Sequence, residues 1–228
     1  MINQNRGAAQ RTLKLIVVGT FIIFIAILSN HQPILAQSPQ VVGAAPAAQT
    51  SLEYVGKIDQ AALSFNGYGY LTAISGVPAN LMFTDLLNHS EATARFTYVS
   101  SAHLTARSVL ETLFVLNAAG TTTVYYNDKP QADFKDPASF GKGVVIATGD
   151  EHWQTVVNVQ APDTGIVTGL GEYTQTSETP FTLNGVDYVL GNPNQFIRYT
   201  FTGEGKRSDK VAPNSTLIIA GYATAGGN

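Results

Sequence analysis

Two carboxylates and an imidazole stand side by side at Asp150, Glu151 and His152, directly before the chain's single tryptophan, Trp153. A carboxylate can orient an imidazole for work as a general base, so this cluster is a candidate site for isomerisation or hydrolysis. The simpler interpretation is a polar loop before a strand. The histidines after residue 36 lack the close spacing of a local metal site, so the sequence predicts no bound metal.

Three pairs of glycines, each one residue apart, interrupt β-rich stretches of the chain. The pairs are Gly67 and Gly69, Gly169 and Gly171, and Gly203 and Gly205. Glycines with this spacing can cradle a phosphate where a strand leads into a helix. No helical pattern follows any pair, and none continues into a full G-x-G-x-x-G, so we expect no nucleotide and no cofactor.

The side chains that share a face with these glycines are mainly apolar or aromatic. Alternate residues of a strand point the same way, which places Tyr173 beside the second pair and Tyr199 beside the third. We therefore predict inward-facing glycines, at positions where strands bend or cross closely. The missing side chains can also leave room for a ligand. The six glycines, Tyr173 and Tyr199 are accordingly the candidate ligand-binding residues.

A polar-aromatic row, Asn66, Tyr68 and Tyr70, occupies the opposite face of the first glycine-containing strand. Exposed aromatic rings beside amides can form a platform on which a saccharide stacks. Strand tyrosines also commonly pack against cross-strand neighbours, which is the competing interpretation.

The elements that must position these residues are short strands. Asn184-Gly185 between two β-rich arms predicts a hairpin over 181–190. A second hairpin is predicted over 114–126 with Gly120 in its turn. Residues 103–116 fit a strand or a helix, and we favour the strand. About ten such strands predict an all-β fold, either a single antiparallel β-barrel or a strongly coiled β-sandwich.

The N-terminus has the layout of an export signal. Arg6, Arg11 and Lys14 are the only charges among residues 1–36, an apolar run follows them, and Ala36 stands at a suitable cleavage position. As a helix the run would span about 21 Å, less than the roughly 30 Å of a bilayer core. We predict a cleaved signal peptide and an extracellular or periplasmic protein, with a retained N-terminal membrane anchor as the alternative.

Composition divides the rest of the chain. Residues 37–50 are small, uncharged and rich in Pro and Ala, which predicts a flexible linker before a domain at 51–228.

The chain has no cysteine, which excludes disulfides and thiol catalysis. All its acidic residues lie after the signal, so the domain is more negative than the net −3 of the whole chain. An acidic surface argues against nucleic acid and against anionic membranes as partners.

These observations favour a secreted, non-catalytic β-domain that binds a small apolar or amphipathic ligand, a saccharide or a surface partner. A β-barrel isomerase or hydrolase that uses Asp150, Glu151 and His152 is one alternative. A purely structural cell-surface protein is another.

Overall fold

The structure is a computed structural model that describes residues 38–209 and 214–226. The predicted signal peptide, residues 1–36, lies outside the described residues. Across the described ranges, no helix has both the length and the apolar character needed to cross a membrane.

Eleven strands make up almost all of the regular structure in the described ranges. In chain order they are β1 (Gln40–Val42), β2 (Thr50–Ala61), β3 (Ser64–Ile74), β4 (Phe96–Leu110), β5 (Leu113–Tyr126), β6 (Val144–Ala161), β7 (Thr164–Glu178), β8 (Phe181–Leu183), β9 (Val186–Leu190), β10 (Phe196–Asp209) and β11 (Asn214–Ala225). Two short 3-10 turns, Ala79–Leu81 and Pro137–Gly141, lie in the connections between strands.

Eight of the strands close into one antiparallel barrel, in the order β2-β3-β4-β5-β6-β7-β10-β11, with β11 hydrogen-bonded back to β2. Each barrel strand therefore pairs with the next barrel strand along the chain. Two-residue turns at 62–63, 111–112 and 162–163 lie at one end, which we call the tight-turn end. The fold-class prediction is confirmed as a barrel, although its strands are longer than expected.

Side chains alternate between the inside and the outside of the barrel along each strand. In β7, for example, Val167 and Gly169 are buried, whereas Thr168 and Leu170 are exposed. The glycine pairs therefore face inward, as the alternation of apolar residues predicted. Closing the sheet gives each of the eight barrel strands a hydrogen-bonded neighbour on both sides.

A small sheet of three strands, in the order β1-β9-β8, packs at the other end of the barrel. The predicted Asn184-Gly185 hairpin is confirmed, because it joins β8 to β9 with both residues at positive φ. Residues 37–50 were predicted to be a flexible linker. The structure corrects this prediction for Gln40–Val42, which form strand β1. Val42 is only 2 % exposed and pairs in parallel with Leu190, so hydrogen bonds and burial order this stretch.

Residues 103–116, which fitted a strand or a helix, form strand on both sides of the turn at 111–112. The favoured prediction of a strand is therefore confirmed. The hairpin predicted within 114–126 is wrong, since the chain reverses at 111–112, with Glu111 at φ 52°. Gly120 instead lies within β5, where a Cβ would overlap the carbonyl oxygen of Ser101 and the side chain of Ala102. The glycine permits two strands to approach closely, a requirement that local turn preferences do not reveal.

Candidate functional site

The interior of the barrel contains a cavity of about 120 Å³. Most of its wall is apolar, formed among others by Leu52, Ile58, Leu71, Val124, Ile197 and Ile219. Toward the tight-turn end the core is filled, because Phe65 and Trp153 pack edge to face with their ring centroids 4.9 Å apart. Gly43, Gly191 and Gln195 line the cavity toward the small sheet. Pockets with apolar walls and a few polar groups are the usual form of small-molecule sites.

Among the described residues, Glu151 supplies the one acidic group of the cavity wall, and its side chain projects inward from β6. The residue is 9 % exposed. Three hydroxyls donate hydrogen bonds to its carboxylate: Ser100 to Oε1, Thr122 to Oε2 at 2.8 Å, and Tyr199 to Oε2 at 3.3 Å. All three donors are uncharged. No Lys, Arg or His of the described ranges forms an ion pair with this carboxylate.

Four tyrosines, Tyr54, Tyr98, Tyr173 and Tyr199, line the cavity around Glu151. Burial is the main cause that raises the pKa of each phenol above its usual value, and the negative charge of Glu151 raises it further. The hydroxyl of Tyr54 donates to the carbonyl oxygen of Thr200 at 3.1 Å. The phenols are therefore uncharged near neutral pH, and they surround the carboxylate with polarisable rings and hydrogen-bond donors.

Two of these phenols have no hydrogen-bond partner in the part of the chain that the structure describes. The hydroxyl oxygens of Tyr98 and Tyr173 are buried, and neither makes a hydrogen bond with any group of the described ranges. A buried hydroxyl without a partner typically destabilises a fold by about 1–3 kcal/mol. Orphan polar groups of this kind in a cavity wall call for a partner inside the cavity, which can be a water molecule or a ligand.

The predicted ligand-binding residues divide into two sets. Gly67, Tyr173 and Tyr199 line the cavity. The others lie behind the wall, because aromatic rings, aliphatic side chains or neighbouring backbone cover them; they are Gly69, Gly169, Gly171, Gly203 and Gly205. Most of the glycines thus shape the wall and do not form its surface.

The acidic cluster is split by the alternation of β6. Glu151 points into the cavity, whereas Asp150 and His152 are exposed on the outer face of the barrel. The imidazole and the cavity carboxylate therefore lie on opposite sides of the sheet. The structure does not bring them together as an acid–base pair.

The outer aromatic row is largely covered by the protein itself. The loop between β5 and β6 folds over Tyr68, whose ring contacts Phe134 and Phe140. Its hydroxyl donates to Asp59 at 2.8 Å. Tyr70 packs against other aromatic side chains of the same region, and Asn66 stays exposed. The two rings are therefore occupied by internal packing.

Sequence reasoning missed four residues of the site: Tyr54, Tyr98, Ser100 and Thr122. Alternation along β4 was a usable signal for two of them, since Tyr98 and Ser100 continue the face that begins with the buried Ala94 and Phe96. Nothing local distinguishes Thr122, in the run Thr121–Thr123, from its neighbours. No group of three or more His, Cys, Asp or Glu side chains in the described ranges is arranged to hold a metal ion.

The chain matches no known protein family, no curated protein sequence and no solved structure. The geometry of the cavity is therefore the basis on which a function is argued.

Proposed function

We propose that the barrel is a non-catalytic binding domain that holds a small apolar or amphipathic molecule in its interior cavity. The observation that carries this proposal is the cavity itself, with mainly apolar walls and a single buried carboxylate at Glu151. A well-packed barrel of this size would fill its interior with side chains. Retained empty space of this composition favours occupation by a ligand.

The volume limits the size of that ligand. About 120 Å³ is close to the roughly 150 Å³ of engineered apolar cavities that bind benzene, and well below the roughly 300 Å³ at which drug-sized sites begin. The occupant is therefore a molecule of about the size of a substituted benzene, or the end of a longer chain. Its apolar part would contact residues such as Leu52 and Ile197, and its polar part would reach Glu151.

We further propose that the protein acts outside the cytoplasm, as a secreted extracellular or periplasmic domain. The basis is the order of basic residues, apolar run and Ala36 in the first 36 residues. N-terminal sequencing of exported protein should begin at Gln37 or within a few residues of it. Recovery of intact Met1 in washed membranes would instead favour an anchored protein.

Trp153 offers a direct test of ligand binding, because it is the chain's one tryptophan and lines the cavity. Benzyl alcohol matches the proposed occupant in size and has one polar end. We expect it to change Trp153 fluorescence saturably and to raise the melting temperature. Native mass spectrometry of the exported protein should also detect a co-purified small molecule.

A matched pair of variants on β11 separates the cavity from the outer surface. Ala223→Leu places a larger side chain in the cavity wall and should weaken benzyl alcohol binding, whereas Ala220→Leu makes the same change on the exposed face and should not. Equal binding by both variants, or no binding by the unaltered protein and no co-purified molecule, would contradict the proposal. The second result would favour a purely structural role.

A further inference from the structure

We propose that the preferred ligand is a small organic amine, whose ammonium group pairs with Glu151 inside the barrel. This inference rests on the proposed function of the barrel as a binding domain and specifies its ligand class. The observations that support it are the hydrogen bonds of Glu151, the charges around it and the aromatic rings that line the same cavity.

The carboxylate of Glu151 has unused capacity to accept hydrogen bonds. Its two oxygens offer about four acceptor positions, and Ser100, Thr122 and Tyr199 occupy three of them. A ligand that donates a hydrogen bond can therefore join the existing network without displacing a protein group. An ammonium or a hydroxyl meets this condition, whereas a carboxylate or an ether does not.

The charge of the cavity determines which ligand group, an ammonium or a hydroxyl, binds more tightly. Glu151 is 9 % exposed, its three donors are neutral, and no basic side chain of the described ranges pairs with it. A buried carboxylate without a counter-charge is unfavourable, and a cation that enters the cavity relieves this state. A neutral alcohol gains only the hydrogen bond, and an anion is repelled. We therefore expect the site to bind an amine more tightly than an alcohol, and an alcohol more tightly than an acid.

The aromatic lining adds to the preference for a cation. Tyr54, Tyr98, Tyr173, Tyr199 and Trp153 all line the cavity. The negative face of an aromatic ring attracts organic cations, and cages built from such rings are a known means of ammonium recognition. The apolar wall then accommodates the hydrocarbon part of the amine. A carboxylate beside tyrosine and tryptophan rings thus combines the two features that recognise an alkyl- or arylammonium ion.

Three small aromatic compounds test the ranking. Benzylamine and benzyl alcohol differ only in the polar group, and benzoate carries a carboxylate directly on the same ring. At about pH 7 the amine is protonated because alkylamines titrate near the lysine value. We would measure their affinities by calorimetry and by Trp153 fluorescence at low ionic strength. The expected result is that benzylamine binds at least about tenfold more tightly than benzyl alcohol, a difference of roughly 1.4 kcal/mol, and that benzoate does not bind.

Glu151→Gln removes the charge and keeps the shape of the side chain. This variant should lose the preference for benzylamine, with at least about a tenfold loss of amine affinity and less than about a threefold change for benzyl alcohol. Retained alcohol binding also shows that the variant is folded. Asp150→Asn is the matched control, because its carboxylate is one residue away and exposed on the outer face. It should leave all three affinities unchanged.

The outcomes separate the two proposals. If benzyl alcohol binds but benzylamine binds no more tightly, the amine inference is overturned and the binding domain stands. The inference is also overturned if Glu151→Gln keeps its preference for benzylamine. If none of the three compounds binds, and Ala223→Leu and Ala220→Leu do not differ, the proposed function itself fails.

Discussion

The ring of Phe201 lies directly over Gly169 on the neighbouring strand. The two residues are paired across β10 and β7, and a methyl group added to the glycine would overlap the ring. The same relationship recurs between Tyr199 and Gly171. At Gly69 and Gly221 the nearest atoms are backbone oxygens, and the paired Tyr98 and Tyr54 approach with their hydroxyl ends. Each of these glycines leaves room for a large side chain of the neighbouring strand that faces the barrel interior.

Gly169→Ala should therefore destabilise the protein and reduce the cavity. The new methyl forces the ring of Phe201 toward the interior, and overpacking of this kind costs about 1–3 kcal/mol. Urea unfolding measures the loss, and Trp153 fluorescence measures the binding of benzyl alcohol.

The double variant Gly169→Ala/Phe201→Leu provides the control for this interpretation. A smaller side chain at 201 should recover much of the lost stability, with a coupling energy of roughly 1 kcal/mol or more in the double-mutant cycle. Gly205→Ala should be milder, because the nearest atom to its Cβ would be a methyl of Val167 at 3.2 Å. Additive effects at 169 and 201 would show that the ring and the glycine are not coupled.

Gly203→Val should be more damaging than Gly169→Ala. A Cβ at Gly203 would overlap the carbonyl oxygen of Ile218 on β11. The backbone of β11 would therefore have to move, whereas at Gly169 the ring of Phe201 can move instead. We expect a loss of about 3 kcal/mol or more, which no small partner side chain can rescue. A melting temperature equal to that of the unaltered protein would show that the strands can separate locally. Added phosphate should have no effect on either protein.

The faces of the strands could be predicted from the sequence, but the partners across the strands could not. Alternation alone placed Gly169 and Phe201 on inward faces, because apolar residues of a strand repeat every second position. Their contact depends on the register between β7 and β10. A shift of that register by one residue would turn the side chains of the shifted strand to the opposite face of the sheet. The same limit explains Gly120, whose close approach to Ser101 is a long-range property, and Val42, which pairs with β9 and packs against residues far along the chain.

The candidate site was only partly accessible to sequence reasoning for a related reason. Glu151 was noticed because it stands beside Asp150 and His152, a cluster that suggested shared chemistry. Neighbouring residues of a strand point to opposite faces of the sheet. Glu151 therefore faces the interior, whereas Asp150 and His152 face outward. Its actual partners, Ser100, Thr122 and Tyr199, come from three other strands.

Two tyrosine-to-phenylalanine substitutions should have opposite effects on stability. Tyr98→Phe removes a buried hydroxyl that has no partner within the described ranges, so it should be neutral or stabilise the protein by up to about 1 kcal/mol. Tyr199→Phe removes the donor to Oε2 of Glu151 and should destabilise it by about 1 kcal/mol. Chemical unfolding of the two variants in parallel measures the difference. If Tyr98→Phe were the more damaging of the two, its hydroxyl would have a role in the ligand-free protein that the present contacts do not explain.

Stability should fall at alkaline pH. Burial, together with the charge of Glu151, raises the pKa values of Tyr98, Tyr173 and Tyr199 in the folded protein above the usual value of about 10. The unfolded chain therefore releases these protons first, and the stability contribution that is complete below about pH 10 is lost as the pH rises toward the folded-state pKa values. The ultraviolet absorbance of tyrosinate should show the buried tyrosines ionising together with unfolding. Ionisation of all tyrosines in one step near pH 10, with the fold intact, would contradict this.

Substitutions at Glu151 should show that the carboxylate organises the hydroxyls around it. Glu151→Leu removes the acceptor of three hydrogen bonds and leaves the hydroxyls of Ser100, Thr122 and Tyr199 facing an apolar side chain. Unsatisfied hydroxyls of this kind cost about 1–3 kcal/mol in total, less where water or a new partner reaches them. Glu151→Gln keeps an acceptor at this position, and serine and threonine hydroxyls can rotate to accept from its amide, so it should change stability by less than about 1 kcal/mol. Urea unfolding of the two variants, with Asp150→Leu on the exposed face as the control for a new leucine in β6, measures the difference. Equal stability of Glu151→Leu and Glu151→Gln would mean that the three hydroxyls find other partners, and that the carboxylate is held in the cavity for its charge alone.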